Sequence, residues 1–248
     1  MRGSSYNELD DVQGALMNAE EGIDQAIAEI TTKCKYLRNC LDASPKRNLT
    51  TGDFWGLSER YKFDILVREL EKIARQIVTS LTFSARYSTK LADISMGTYD
   101  GTMVDHMFWY HIDFGVRLLS SGWDRIALLL DLAYDLELHD RCNLSRVMKE
   151  LPKVAIDIEK NENFKFIKRY RDNEFTELEN GPGKGARHET THILTPSSRH
   201  FFSFLESHND DTNVLEPHKW MTLLKKQFHL YLQGIKKAAS LMEKHGLN

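Results

Sequence analysis

The chain has 248 residues, of which 41% are hydrophobic and 28% charged, and its formal net charge is −3. At this length an ordinary globular chain can bury one large core or two small ones, so neither disulfides nor a structural metal is needed to hold it together. The slight overall acidity argues against avid, unspecific binding to nucleic acids.

Charged residues interrupt every hydrophobic stretch, and even the most apolar one, residues 126–134, contains Asp131. No segment approaches the length that spans a bilayer, so we expect no membrane partner. The amino terminus lacks the apolar core of a secretory signal. The three cysteines, Cys34, Cys40 and Cys142, lack the spacing of a metal site. The sequence therefore predicts a cytoplasmic protein with reduced cysteines.

Apolar residues at spacings of three and four predict two long helices in the first third of the chain. One stripe covers residues 12–41 and the other residues 63–81, with a connection at residues 45–56. From Glu8 to Glu29 there are seven acids and no Lys or Arg, which indicates a solvated acidic face.

The middle of the chain predicts a third helix over residues 104–119, an interruption at the Ser-Ser-Gly sequence of residues 120–122, and a buried central helix that starts at Trp123. Its aromatic residues are expected in the core: Trp109, Tyr110, Phe114 and Trp123.

Four polar residues of the third helix could suggest a metal site: Asp105, His106, His111 and Asp113. Histidines five positions apart diverge by about 140° on a helix. We therefore expect hydrogen-bonding roles for these residues rather than metal binding.

Short helices are predicted next. Asn143 is expected to cap one that Pro152 stops, and Asn161 or Asn163 to cap another that ends at residues 180–182.

Pro217 then opens a last helix, and residues 219–244 hold six lysines and a single acid. Solvated lysines are the simplest interpretation, although such a face could also guide RNA.

Together these elements predict an all-α fold, a helical bundle with a long N-terminal helix. We expect a single domain over residues 1–248, with an N-terminal helical extension at about 1–55, a main region at about 60–248 and a long loop at 180–198. Long loops between helices are either functional or disordered.

The long loop reads NGPGKGARHETTHILTPSS, and its central residues fit two mutually exclusive patterns. The first is H-E-x-x-H, in which His188 and His192 would hold zinc and Glu189 would act as general base toward a bound water. A zinc-dependent hydrolase also needs a third ligand, for which Glu206 or Glu216 is available. No upstream segment has the strand pattern that usually flanks such helices.

The second pattern is R-[N/D/H]-x-x-x-H, formed by Arg187, His188 and His192. An arginine beside a histidine suits phosphodiester cleavage without metal, because the guanidinium stabilises charge on the phosphate while the imidazole moves a proton. RNA supplies its own nucleophile, the 2′-hydroxyl. On a helix, His188 would share a face with His192 and could orient it.

In an all-helical chain this second pattern resembles the signature of the HEPN superfamily (higher eukaryotes and prokaryotes nucleotide-binding). The resemblance runs from about residue 60 to the end, through the Gly-Trp-Asp sequence at residues 122–124 and FKFIKRYRDNEFT before the loop. It implies a metal-independent endoribonuclease without cofactor, acting as a toxin or phage-defence effector. It also implies a homodimer with a composite site, RNA as substrate and, for a toxin, a cognate antitoxin protein.

The chain departs from the family pattern at the end of the penultimate helix, where the motif often lies. Arg171 and Asp172 are present there, but Thr176 stands where a histidine is expected. We assign Arg171, Asp172 and Lys184 to RNA or phosphate binding. A non-catalytic HEPN-like dimerisation or RNA-binding module stays open as the alternative, and the zinc hydrolase is the third interpretation.

Overall fold

The computed structural model of the chain describes residues 5–33, 57, 59–92, 103–174 and 217–244. In this part of the chain all regular structure is helical, which confirms the prediction of an all-α bundle with a long N-terminal helix. The α-helices are α1 (Ser5–Lys33), α2 (Glu59–Ala92), α3 (Met103–Tyr134), α4 (Leu144–Val154), α5 (Glu162–Arg169) and α6 (Pro217–Lys244). Short 3₁₀ helices lie at His139–Arg141 and Ile158–Lys160, and a π-helical turn lies at Tyr170–Glu174.

The described residues fall into two compact units. Unit 1 contains those of Met1–Glu21, Arg75–Ser120 and Asp172–Leu230, and unit 2 contains those of Gly22–Ala74, Ser121–Arg171 and Tyr231–Asn248. Each unit takes residues from α1, α2, α3 and α6, so each has the helix-on-helix packing that amphipathic helices require to bury their apolar stripes.

The core of unit 2 is built around Trp123, which is fully buried. Its ring stacks on Tyr170 at a centroid distance of 3.8 Å and meets Tyr231 nearly edge-on at 6.3 Å. The Tyr231 hydroxyl donates a hydrogen bond to the carbonyl of Leu70, 3.3 Å away. Burial of one tryptophan contributes about 4 to 6 kcal/mol from its area alone, so this ring is a principal anchor of unit 2.

The predicted interruption at residues 120–122 is wrong, because α3 runs unbroken from Met103 to Tyr134. Gly122 is buried where Tyr231 approaches the helix, and a Cβ atom there would lie 2.6 Å from Cε2 of that ring. The small residue therefore permits a close contact between helices and does not break α3.

The Asn143 cap is confirmed, since its side chain accepts a hydrogen bond from the backbone N–H of Arg146 at 2.9 Å. Pro152, however, lies inside α4, which ends two residues later at Val154. Proline removes a hydrogen bond to the preceding turn, but the N–H of Ala155 still bonds to the carbonyl of Leu151 at 3.0 Å and closes the last turn.

The cap of α5 is Asn161, whose side chain accepts from the N–H of Asn163 at 2.9 Å. The α-helical part ends at Arg169 and continues as the π-helical turn to Glu174. The predicted end at residues 180–182 lies outside the described residues, as do the connection at 45–56 and the loop at 180–198. The opening of α6 at Pro217 is confirmed.

Unit 1 has its own aromatic core. Trp109 is 1% exposed and meets Trp220 edge-on at a centroid distance of 6.5 Å. Gly115 brings α3 close to α6, because a Cβ there would lie 2.7 Å from Cδ2 of Leu224.

Candidate functional site

The catalytic residues predicted from the sequence, Arg187, His188 and His192, lie outside the described residues, as do Lys184 and Glu189. Their roles therefore stay predictions. Arg171 and Asp172 are described, and they lie on the π-helical turn Tyr170–Glu174.

This turn begins at a fixed point of the core. Tyr170 is 1% exposed and stacks on Trp123 with an interplanar angle of 16°. Arg171 directly follows it and is half-buried, whereas Asp172 is exposed. Single π-helical turns are rare and are frequently found at functional sites. The stack on Trp123 therefore anchors the residue that directly precedes Arg171.

Basic side chains of α5 precede the turn, and aromatic rings hold two of them. The Lys168 ammonium lies 5.8 Å from the centroid of Phe164 and 3.3 Å from a carboxylate oxygen of Glu159. The Arg169 guanidinium lies 5.8 Å from the centroid of Phe166. Such contacts within about 6 Å are attractive and favour one arrangement of these long side chains.

A second polar feature is the turn that follows α3, which the carboxylate of Asp131 holds in place. Its Oδ1 accepts from the N–H of Leu138 at 3.1 Å, and its backbone carbonyl accepts from the N–H of Leu136 at 3.1 Å. Three residues of this turn have left-handed backbones, with φ of 50° at Asp135, 54° at Glu137 and 49° at His139. Left-handed conformations cost energy in residues other than glycine, so the Asp131 bonds stabilise a turn that is strained on its own.

The Cys142 thiol belongs to the same arrangement. It is free, half-buried and hydrogen-bonded to Asp131. Burial, together with the nearby Asp131 charge, raises the pKa of Cys142 well above its usual range. The thiol therefore stays protonated at neutral pH and is a packing and hydrogen-bonding group rather than a nucleophile.

Unit 1 carries a cluster of aromatic side chains at its surface, here called the ring cluster: Phe83, Tyr87, Tyr110, His111 and Phe114. From α2, Phe83 and Tyr87 stack on the imidazole of His111 at centroid distances of 4.8 and 6.1 Å. On α3, Tyr110 stacks with Phe114 at 6.2 Å and meets His111 edge-on at 5.2 Å. Tyr110 is 58% exposed and Phe83 is 37% exposed.

Ring contacts hold the histidine of the ring cluster. Within the described part of the chain, Nδ1 of His111 has no hydrogen-bond partner. Burial lowers the pKa of His111 below 6.5, so its ring is mainly neutral at pH 7. The imidazole thus acts as one more aromatic ring.

The sequence predictions for these residues are only partly right. Trp109 and Trp123 are core residues as expected, but Tyr110 is exposed and Phe114 is half-buried. Phe83 and Tyr87 are not among the residues for which the sequence predicts a role. The signal that could have found them is their spacing of four on α2, within a stretch from residue 72 to residue 92 that has no acid.

The residues considered as metal ligands on α3 do not converge. Asp105 is buried whereas His106 is exposed. Among the described residues there is no group of three or more side chains that could hold a metal ion. None of the helices described here is long and apolar enough to cross a membrane.

Comparison with known proteins found no family model, no curated protein and no solved structure that matches this chain. Functional inference therefore depends on the residues themselves.

Proposed function

We propose that this protein is a metal-independent endoribonuclease of the HEPN type, with Arg187 and His192 as its catalytic pair. The observation that carries the proposal is the spacing of Arg187, His188 and His192 in a chain whose described residues fold as an all-α bundle. The resemblance to HEPN proteins supports a homodimer with RNA as substrate, acting in growth arrest or phage defence, with an antitoxin protein as a further partner. We propose a cytoplasmic location for it.

The proposed reaction needs only these side chains and the RNA. The 2′-hydroxyl attacks the adjacent phosphorus, the bond to the 5′-oxygen breaks, and that oxygen takes up a proton. His192 moves the proton, Arg187 stabilises the charge that develops on the phosphate, and His188 orients the His192 ring. Arg171, Asp172 and Lys184 bind RNA around this centre in the proposal. What supports a role for Arg171 is its place directly after the buried Tyr170, which anchors its backbone.

The test is incubation of the purified full chain with total RNA and with a tRNA pool, in the presence and absence of EDTA. We expect cleavage that EDTA does not reduce and that His192→Ala and Arg187→Ala each lower by at least about a hundredfold. Cleavage that survives His192→Ala in a folded variant would contradict the assignment.

Glu189→Gln separates this proposal from the zinc interpretation of the same residues. A zinc hydrolase requires Glu189 as general base, whereas the ribonuclease does not. We expect Glu189→Gln to cut RNA as the unchanged chain does, and loss of cutting with stoichiometric bound zinc would favour the zinc enzyme instead.

A second candidate function is a non-catalytic dimerisation or RNA-binding module. The observation that favours it is the pair Arg171 and Asp172, which is followed by Thr176 rather than a histidine. This candidate predicts a stable dimer, no cleavage and tolerance of Arg187→Ala.

A further inference from the structure

We propose that the ring cluster of unit 1 is a platform on which bases of single-stranded RNA stack, with neighbouring arginines contacting the phosphates. The choice of RNA rests on the proposed function, whereas the platform itself rests on ring geometry, exposure and charge.

The exposed rings are the first argument. Tyr110 keeps 58% of its surface accessible and Phe83 keeps 37%, although both belong to a stacked aromatic group. Phe114 and His111 each hold the Tyr110 ring on one side, so its orientation is set before any ligand arrives. A fixed, exposed ring is the element with which proteins bind unpaired bases, since every base has a flat face.

Charge is the second argument, and it favours a polyanion over a neutral partner. On the α2 side, Arg75 and Arg86 are exposed and residues 72–92 contain no acid. On the α3 side, Arg117 is exposed and follows Tyr110 by seven residues. Seven residues make two helical turns on the same face, about 10 Å apart along the axis, so base and phosphate contacts can involve neighbouring nucleotides.

The few accessible acids near the ring cluster leave the net charge of this region positive. On α3, Asp105 is 3% exposed and Asp113 is half-buried. Over residues 71–88 and 103–121 four exposed basic residues (Lys72, Arg75, Arg86 and Arg117) therefore stand against two accessible carboxylates, Glu71 and Asp113. Aromatic rings interleaved with cations favour a single nucleic-acid strand as the occupant of this face.

Binding of a fluorescein-labelled oligouridine RNA of about 20 nucleotides to the full chain, followed by fluorescence anisotropy, tests the platform. Tyr110→Phe keeps the ring, whereas Tyr110→Leu keeps an apolar side chain and removes the flat face. We expect Tyr110→Phe to bind as the unchanged chain does and Tyr110→Leu to bind about five- to a hundredfold more weakly. Equal binding by Tyr110→Leu, or no binding by the unchanged chain, would overturn the proposal.

The phosphate contact has its own test. We expect Arg117→Gln to lower affinity and to reduce the slope of log Kd against log salt by about 0.7, as for one lost contact to a single strand. Arg146→Gln is the matched control, because Arg146 is an exposed arginine of unit 2 whose Nη1 donates to the carbonyl of Arg141. An equal change of slope in both variants would argue against a local contact at Arg117.

Further readouts separate the RNA platform from nonspecific binding to apolar surface, from a dimer interface and from the proposed ribonuclease activity. Ile156→Ser removes another exposed apolar side chain, one of unit 2 that is 89% exposed, and should leave RNA binding unchanged. If Tyr110→Leu converts a dimer to a monomer in sedimentation without changing RNA binding, the face belongs to a second copy and the platform is overturned. If Tyr110→Leu weakens RNA binding but the unchanged chain cleaves no RNA, the platform is supported and the ribonuclease is contradicted. If the unchanged chain cleaves RNA but Tyr110→Leu binds RNA as well as the unchanged chain does, the ribonuclease is supported and the platform is contradicted.

Discussion

Asp131 shows how a single buried acid makes stability depend on pH. It is 4% exposed, and burial raises its pKa above the ordinary 3.8, while hydrogen bonds from Leu138 and Cys142 act in the opposite direction. The folded chain therefore holds this proton more tightly than the unfolded chain does. As a result, the free energy of unfolding falls as pH rises from about 3.8 through the raised pKa.

Asp131→Asn should remove this dependence. The amide oxygen can still accept the Leu138 N–H bond that holds the strained turn, but the side chain has no proton to lose. We expect the melting temperature of the variant to rise relative to the unchanged chain between about pH 4 and pH 7. Asp140→Asn, at an exposed position of the same segment, is the control. Parallel melting curves for Asp131→Asn and the unchanged chain would show that the carboxyl does not titrate in this range.

At the scale of helices, glycines set how closely α6 approaches α3 and α1 within unit 2. A Cβ atom on Gly234 would lie 2.4 Å from Cη2 of Trp123, a rigid ring atom. A Cβ on Gly22 would lie 3.3 Å from Cδ1 of Leu232, the end of a flexible side chain. Both glycines are helical, so the backbone conformation is the same at the two sites. The sites differ in the side chain that an added Cβ atom would displace.

Gly234→Ala should therefore lower the free energy of unfolding by about 1 to 3 kcal/mol, the usual cost of overpacking. Gly22→Ala should leave the free energy of unfolding unchanged or raise it by up to about 1 kcal/mol, because alanine favours the helical conformation more than glycine does. Urea unfolding of both variants measures the difference. Equal effects at the two positions would mean that the Trp123 ring can yield.

Periodicity predicted the long helices well because their apolar stripes are continuous, whereas details that depend on a neighbouring helix were missed. The Ser-Ser-Gly sequence at 120–122 resembles a break until Tyr231 is seen against it. Trp109 and Tyr110 are adjacent on a helix, so their side chains point about 100° apart and both cannot enter one core. Hydrophobicity alone does not predict which of the two is buried. The catalytic assignment rests on Arg187 and His192, and no described residue tests it.

At the scale of the whole chain, opposite charges lie at its two ends. Residues 8–29 carry seven acids and no Lys or Arg, while residues 219–244 carry six lysines. Within unit 2 these segments meet, since Nζ of Lys236 lies 3.4 Å from Oε1 of Gln25, one residue after the exposed Asp24. The charge of Lys236 therefore lies beside the acidic segment, and we expect an attraction between them that salt would screen.

We expect the free energy of unfolding of the unchanged chain to fall when NaCl is raised from about 20 mM to about 500 mM. In Lys236→Gln this fall should be smaller, by a few tenths of a kcal/mol up to about 1 kcal/mol. Thermal melts at both salt concentrations measure this. Arg146→Gln removes a charge from the same unit without touching α1 or α6, and should leave the salt effect as it is. If Lys236→Gln and Arg146→Gln have equal effects, the attraction between α1 and α6 is not local.

The stack of Trp123 on Tyr170 makes the protein its own optical reporter. Indole emission shifts when the surroundings of the ring change, and Trp123 is buried in unit 2 whereas Trp109 and Trp220 are buried in unit 1. A chain that keeps Trp123 and has phenylalanine at the other three tryptophans would emit from unit 2 alone. Because Tyr170 is followed directly by Arg171, a colour change of that emission on adding RNA would reveal a ligand at this turn without any attached dye.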